Sequence, residues 1–519
     1  MACMDPTRAQ TISSEVPCRR WPLSLVPLAL ALSQAALAQI STDAGMNQAF
    51  ALPGSASGNP ASGTPLPAYT YGVDVGVGET DNVALTPTNK ISQTMATTDA
   101  DFSVNHRSRL FDVNAVGDFA YIDYLQGAFG PELLGRFDGT ANAAIIPGRL
   151  IWTLSDDFGQ SAVDPYTPVN PDNIENINYF TTGPELKLRF DGVNFIDVSL
   201  RYGRAQFQTS PFDSNRAVGS VAVGRDVSAG GSISLNATSE RVMFENTAVN
   251  GDLTLSSLFG KYELEGARTS FTGELGASTV NQSSAGSSAV SSITINPLGP
   301  AIGLSEAVPV QAQPRESLTG PLAKLQLTRR VSASSSLIFS GGQILTDLAS
   351  SFSTQGVGAT GISTTAPGYL SGGVYRETYA TAGWLFQRNR TTFAVTGRWE
   401  KDVYPGLPSL DTVMPSAQFN VRRRMSRAWT LQLSGSRNQA HYPSAVLTQQ
   451  MTGSTQYAND IISGDVIWRH GRGLEVRLRV EHDSYTVSNG NTGYQDSRVF
   501  LTIGYRPGNT NTSPAEQTF

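Results

Sequence analysis

Charge, sulfur and long apolar runs are all scarce in this 519-residue sequence. Asp, Glu, Lys and Arg make up only 15% of it, against about 25% in ordinary globular domains. That composition excludes highly charged disordered chains, and a net charge of −6 excludes a basic nucleic-acid binder. Cysteine occurs twice, at Cys3 and Cys18, and histidine four times. One apolar stretch approaches membrane-spanning length, and it lies at the extreme N-terminus, so a multi-helix membrane protein is also excluded. What fills the gap is glycine, at 50 residues nearly a tenth of the chain, together with Ser, Thr, Asn and Gln.

Residues 1–38 read as a secretory signal peptide. Arg19 and Arg20 form a basic start, Trp21 to Leu32 an apolar stretch, and Ala36-Leu37-Ala38 a small-residue cleavage site. Both cysteines leave with it, so the mature chain is disulfide-free and needs its stability from backbone hydrogen bonds or a large core. Loss of Arg8, Arg19, Arg20, Asp5 and Glu15 leaves it mildly acidic, which implies no particular partner. Residues 39–68 carry Pro53, Pro60, Pro65 and Pro67 among Ala, Gly and Ser, and read as a disordered periplasmic lead-in.

From Tyr69 to about Tyr505 the pattern alternates with period two. Leu474, Val476, Leu478 and Val480 oppose Glu475, Arg477, Arg479 and Glu481. Ile196, Val198, Leu200 and Tyr202 oppose Asp197, Ser199 and Arg201, and Phe393, Val395 and Trp399 oppose Thr392, Thr396, Arg398 and Glu400. Such strands have two chemically different faces. A soluble one-sided sheet has the same alternation. Strand length decides against it, because about 9 to 14 residues suit a tilted membrane crossing.

The connections decide too. Short turns fall near 106–109, 147–149, 191–192, 225–230, 265–268, 329–333, 388–390, 424–427 and 469–472. Longer polar loops fall near 79–97, 119–134, 156–180, 207–216, 241–250, 281–316, 345–375, 402–412, 438–456 and 484–495. Short periplasmic turns and long external loops mark outer-membrane barrels. The fold class predicted is all-β, a transmembrane antiparallel β-barrel over residues 69–507. About 20 strands are expected, with 18 the next choice, and a tail at 508–519. Lipid offers backbone groups no partners, so the sheet must close on itself. Tyr69, Tyr71, Tyr121, Tyr124, Tyr375, Tyr379, Trp384, Phe386 and Trp468 are expected in interfacial aromatic girdles. Tyr505 suits the aromatic end of a last strand, with Phe519 as an alternative terminal signal.

Several stretches of the N-terminal half carry a resemblance. Gly76-Val77-Gly78-Glu79-Thr80-Asp81-Asn82 is followed by Arg149-Leu150-Ile151-Trp152 and Asp157-Phe158-Gly159-Gln160. Then come Asp164-Pro165, Pro171-Asp172-Asn173, Phe180-Thr181-Thr182-Gly183-Pro184 and Arg201-Tyr202-Gly203. Residues 69–205 resemble outer-membrane β-barrel proteins, of a porin type, associated with exopolysaccharide biosynthesis and the PEP-CTERM sorting system. The resemblance implies an outer-membrane location and a role in polysaccharide export or assembly, and brings no catalytic residues.

Catalytic chemistry has little material to work with. His106, His441, His470 and His482 have no Ser or Asp at a spacing that demands a triad, and scarcity of His and Cys excludes the usual zinc sites. The oxygen-rich stretch 164–173 could ligate calcium, but it lacks a calcium loop's spacing and its residues are ordinary turn formers. Its length and prolines suit a rigid loop folded into the lumen or over the mouth. No catalytic residue, cofactor or metal is expected. The candidate lumen-lining residues are Arg201, Arg398, Arg422, Arg424, Arg477, Arg479, Glu475 and Glu481. Inward arginines can offer an anionic polymer bidentate sites, or can neutralise neighbouring carboxylates. Arginines of the short turns reach lipid phosphates at the periplasmic rim.

The expected function is a porin-like component of exopolysaccharide export or assembly, a non-enzyme of the cell outer membrane. The alternatives are an outer-membrane lipid or glycan hydrolase, and a structural or adhesion barrel plugged by its own loops. Expected partners are outer-membrane lipids, the barrel-assembly machinery, a polysaccharide and periplasmic export proteins, and no nucleic acid.

Overall fold

The computed structural model describes residues 69–163, 169–247, 250–283, 292–295, 306–309, 316–355, 362–363, 374–405, 408–448, 451–471, 473–488 and 493–507. The signal peptide, the lead-in, residues 164–168 and the tail with Phe519 lie outside them.

The strands are β1 (Tyr69–Thr80), β2 (Gln93–Arg107), β3 (Phe111–Tyr124), β4 (Glu132–Ile146), β5 (Leu150–Ala162), β6 (Ile174–Phe190), β7 (Asn194–Phe207) and β8 (Ser214–Ser228). There follow β9 (Gly231–Phe244), β10 (Leu253–Glu265), β11 (Thr269–Gln282), β12 (Ser292–Ile295), β13 (Glu306–Pro309), β14 (Glu316–Ser332), β15 (Ser335–Thr346) and β16 (Ile362–Ser363). The last are β17 (Tyr375–Arg388), β18 (Thr391–Val403), β19 (Thr412–Arg424), β20 (Trp429–Thr448), β21 (Met451–His470), β22 (Leu474–Val487) and β23 (Tyr494–Tyr505). Among the described residues one α-helix, α1 (Leu348–Gln355), follows β15.

Twenty of these strands pair antiparallel with their neighbours, and β1 closes on β23 from Val73↔Tyr505 to Thr80↔Arg498. The short pair β12–β13 forms its own hairpin. No described helix is long and apolar enough to cross a membrane. The chain is therefore a closed 20-strand antiparallel β-barrel, with every backbone edge paired as lipid requires.

The faces follow the alternation. Leu474, Leu478 and Val480 are exposed on β22, while Glu475, Arg477, Arg479 and Glu481 between them are buried. Val73, Val75 and Val77 are exposed on β1, while Gly72 and Asp74 are buried. The exposed apolar side faces outward and the charged side faces the interior. At the seam, Gly504 opposes Asp74, and a Cβ there would fall 1.4 Å from the Asp74 carboxylate, so no larger residue fits without moving it.

All nine short turns are present at one end, the end that also carries both termini of the barrel. At 191–192 the reversal uses positive φ at both Asp191 (54°) and Gly192 (72°). At the other end the strands run past the expected boundaries. They reach 12 to 20 residues, not 9 to 14. The expected loop at 438–456 is instead a hairpin: β20 and β21 stay paired to Thr448↔Met451, with a register shift at Tyr442/Ala445, beside Pro443. Likewise β5 and β6 pair into the expected 156–180 loop as far as Ala162↔Ile174. Beyond the bilayer both faces are wet, so apolar alternation stops while the backbone ladder continues.

The expected girdle splits. Tyr71 and Trp384 are exposed on the outward face, and Trp468 packs at a tilt against exposed Trp429 with ring centroids 6.5 Å apart. Tyr124, Tyr375 and Tyr379 do not join them. Tyr124 and Tyr375 are buried on the inner face, and Tyr379 lies there under Arg398, 4.7 Å from guanidinium carbon to ring centroid. Tyrosines near strand ends serve either face, and only the register tells which.

Candidate functional site

The inner face of β20–β23 carries four of the expected lumen residues in one buried network. Arg479 donates from Nε and Nη2 to both oxygens of Asp465, at 2.8 and 3.2 Å. Glu475 accepts from Arg469 at 2.8 Å and Arg477 at 3.0 Å, and Glu481 pairs with Arg498 at 3.5 Å. Arg506, just past the last strand, reaches back across the seam to Asp74 and Asp101. It thereby ties β1 and β2 to the end of β23.

The other four residues lie elsewhere on the same face. Arg398 binds Glu400 at 2.6 Å and Glu377 at 2.8 Å. Arg201 donates to Glu185 at 3.1 Å and to the Gly183 carbonyl at 2.8 Å. Arg422 lies within electrostatic range of Asp465. Arg424 ends β19, its backbone N–H donating to the Arg390 carbonyl at 2.8 Å, at the short-turn end. The structure thus spreads the eight along the inner face rather than gathering them in one pocket. Six of them, Arg201, Arg398, Arg477, Arg479, Glu475 and Glu481, sit in ion pairs with neighbouring strand residues.

The mouth holds an element that the strand pattern did not announce. After β15, the eight residues of α1 fold inward, with Leu348, Ala349 and Phe352 on one side. They pack into a buried cluster with Ala162, Ile177, Tyr179, Ala205, Phe207 and Phe212 from the β5–β7 side, with Val169 against its edge. Asp347 caps the helix, its carboxylate accepting from the Ala349 backbone and the Ser350 side chain. The same carboxylate takes both Nη atoms of the buried Arg216 on β8. Arg216 also donates to Glu240 at 3.0 Å and Ser350 at 2.9 Å and lies 5.4 Å from the Tyr179 ring centroid. Burial by itself would raise the Asp347 carboxyl, but the facing Arg216 guanidinium brings it below its ordinary value.

Farther along, β16 pairs in parallel with β5, Ile362↔Gln160 and Ser363↔Ser161. Seven wall strands, β6–β11 and β14, separate β5 from β15, so β16 pairs with a wall strand remote from the one that α1 follows. Of the 164–173 stretch, residues 164–168 lie outside the described residues; Asn170 caps the short turn Pro171–Asn173 and Val169 supports the α1 cluster. A signal for α1 exists in the sequence: an Asp before apolar residues at i, i+1 and i+4 inside a polar loop.

The histidines are dispersed. His106 lies in β2 and His441 in β20; His470 stacks on Trp468 at 5.4 Å. His482 faces outward, its Nδ1 3.1 Å from Ser497 Oγ, a cross-strand pair that sequence spacing did not reveal. Asp81 sits on the other side of Ser497, accepting its backbone N–H at 2.8 Å rather than orienting the imidazole. The order of a Ser-His-Asp triad is therefore broken. Among the described residues, no group of three or more His, Cys, Asp or Glu side chains is arranged for a metal ion. A concavity of about 1070 Å³ is lined by exposed Val223, Ile233, Leu235, Tyr262, Leu275 and Leu325. These belong to the outward, acyl-facing surface and not to the lumen.

No family model matches the chain, and no curated protein does either. Among solved structures, it is similar to the FrpB iron transporter of Neisseria meningitidis at 8% identity, covering 85% of this chain and 82% of that one, with TM-score 0.39. It is similar to the siderophore receptor PirA of Pseudomonas aeruginosa at 9% identity, covering 86% and 81%, with TM-score 0.37. The copper transporter OprC matches at 10% identity, covering 85% and 81%, with TM-score 0.38. Similarity at this level does not carry the cargo or mechanism of those proteins to this chain.

Proposed function

We propose that this chain is a porin-like conduit of the outer membrane, serving the export or assembly of an extracellular polysaccharide. One observation carries the conduit reading: around the closed sheet, apolar side chains face out and charged ones face in. Porins of roughly sixteen to eighteen strands already leave an aqueous channel, and this barrel has twenty. Passage is passive. A hydrated polymer moving from the short-turn side needs many weak polar contacts, and Arg201, Arg398, Arg422 and Arg424 with their carboxylate neighbours supply both signs of charge. The α1 connection makes the resting mouth narrow. Polysaccharide as the cargo rests on the resemblance of residues 69–205, and periplasmic export proteins are the partners that would deliver it.

The test has two parts. Purified barrel in planar bilayers should open ion-conducting channels; a barrel closed at every voltage would overturn the conduit. A clean deletion should leave polymer in the periplasm and deplete it from the medium. Unchanged secretion would remove polysaccharide as the cargo.

A further inference from the structure

The outer end of the inner wall carries a row of tyrosines that none of the assignments above uses. Tyr442 on β20, Tyr457 on β21, Tyr485 on β22 and Tyr494 on β23 occupy four adjacent strands. Their rings follow one another at centroid distances of 6.1, 5.8 and 5.4 Å, the last pair stacked within 11°. Register fixes the direction in which they point. Tyr485 shares the buried face of Arg479, Glu481 and Asp483, and Tyr494 shares that of Asp496. Tyr442 and Tyr494 are buried, whereas Tyr457 and Tyr485 between them are half-buried. The middle of the row is therefore its more accessible part, on the interior side of the wall.

Polar groups border it. Tyr494 donates its hydroxyl to Asp483 at 3.0 Å. The other Asp483 oxygen and the amide oxygen of Asn459, which pairs with Tyr485 in register, have no hydrogen-bond partner among the described residues. Both oxygens are enclosed in the wall beside the rings, and a sugar hydroxyl reaching them would supply the donors they lack. The sugar's axial C–H bonds present weakly positive hydrogens to the negative ring face, and its equatorial hydroxyls donate sideways.

We infer that Tyr457 and Tyr485, flanked by Tyr442 and Tyr494, form a saccharide-binding track for pyranose rings at the outer mouth, with Asn459 and Asp483 receiving hydroxyls. The inference deepens the proposed function by naming a contact surface for its cargo, and it rests on that reading. Tyrosine suits a track. The ring gives sizeable contact at little entropic cost, and successive rings let one sugar advance while its neighbour holds.

The experiment uses the full mature chain in detergent and in planar bilayers. The probes are maltoheptaose, cellohexaose and an oligogalacturonate, giving α-linked, β-linked and acidic pyranoses. At least one should bind, read by tyrosine and tryptophan fluorescence, and should block ion current from the long-loop side. Tyr457→Ala with Tyr485→Ala should weaken that binding by roughly tenfold, as expected for two lost ring contacts. The Tyr→Phe pair keeps the faces and should stay within about threefold. Folding of each variant is checked by heat-modifiable migration on gels, and Tyr→Leu at both positions replaces any Ala pair that fails to fold.

Failure of all three sugars to bind, equal binding by the Ala or Leu pair, or binding of catechol in place of sugars would overturn the track. The two readings separate cleanly. An ion-conducting barrel that binds no sugar keeps the conduit and loses the track; a closed barrel that binds sugar through these tyrosines keeps the track and loses the conduit.

Discussion

Buried guanidinium–carboxylate pairs occur on two sides of the inner wall, and they do different things. On the β20–β23 side, Arg479 and Asp465 are held on neighbouring strands, and both are almost wholly buried. Neither can leave. On the β5–β8 side, Arg216 is held by a strand, but its partner Asp347 begins a loop helix. The first pair welds wall to wall, while the second fastens a loop helix to the wall. A buried ion pair is weak evidence for net stability, because desolvation offsets much of the attraction. Its consequence depends on whether the stranded charge has somewhere to go.

The largest effect is therefore expected where nothing can move. Arg479→Ala leaves Asp465 charged and enclosed, at a cost of about 3–5 kcal/mol. The melting temperature read by heat-modifiable migration should fall steeply, with single-channel conductance unchanged in the barrels that remain folded. Replacing both partners, Arg479→Met with Asp465→Leu, should recover most of the loss; no recovery would mean the pair contributes more than mutual compensation.

Arg216→Ala reverses this balance. The Asp347 carboxylate can swing to water with its loop, so the stability loss should be smaller, about 1–3 kcal/mol. Conductance should rise and α1 should become sensitive to protease. Unaltered conductance with a cleaved loop would show that α1 does not narrow the path.

Acid should act on the loop tether late. Folding holds the Asp347 carboxyl below its ordinary value of 3.8, so the tether contributes stability above that value and loses it as pH falls through the lower, folded-state value. Conductance of the native barrel is expected to be flat from neutral pH to about 4 and to rise only on further acidification. A rise near pH 6 would point to some other group as the latch.

The smallest effect belongs to the outward pair Arg437–Asp460, at 3.2 Å with both side chains largely exposed. Arg437→Ala should cost no more than about 1 kcal/mol, and high salt should erase the difference.

Much of the barrel could be read from the chain because the bilayer imposes it locally. Each residue of Leu474–Glu481 declares its face by its own polarity, and all nine short turns stand where the period breaks. Legibility stops where the bilayer stops. The 438–456 segment loses the apolar–polar alternation, so it reads as loop although β20 and β21 stay paired to Thr448↔Met451. Polarity and period mark inward residues one by one, but nothing local distinguishes Arg216, whose importance comes from Asp347, 131 residues away. The pairing of His482 with Ser497, and the row from Tyr442 to Tyr494, were hidden for the same reason.

Composition and alternation alone determined that one lipid-facing, disulfide-free barrel would form, since low charge, abundant glycine and period two suit strands with one face in hydrocarbon. Closure of β1 on β23, the folding of α1 against the opposite wall, and the side on which each tyrosine lies were decided only in three dimensions. The physical reason is range. Polarity acts at each residue, whereas contacts across a barrel join residues hundreds of positions apart, and nothing in a local pattern records which of them meet.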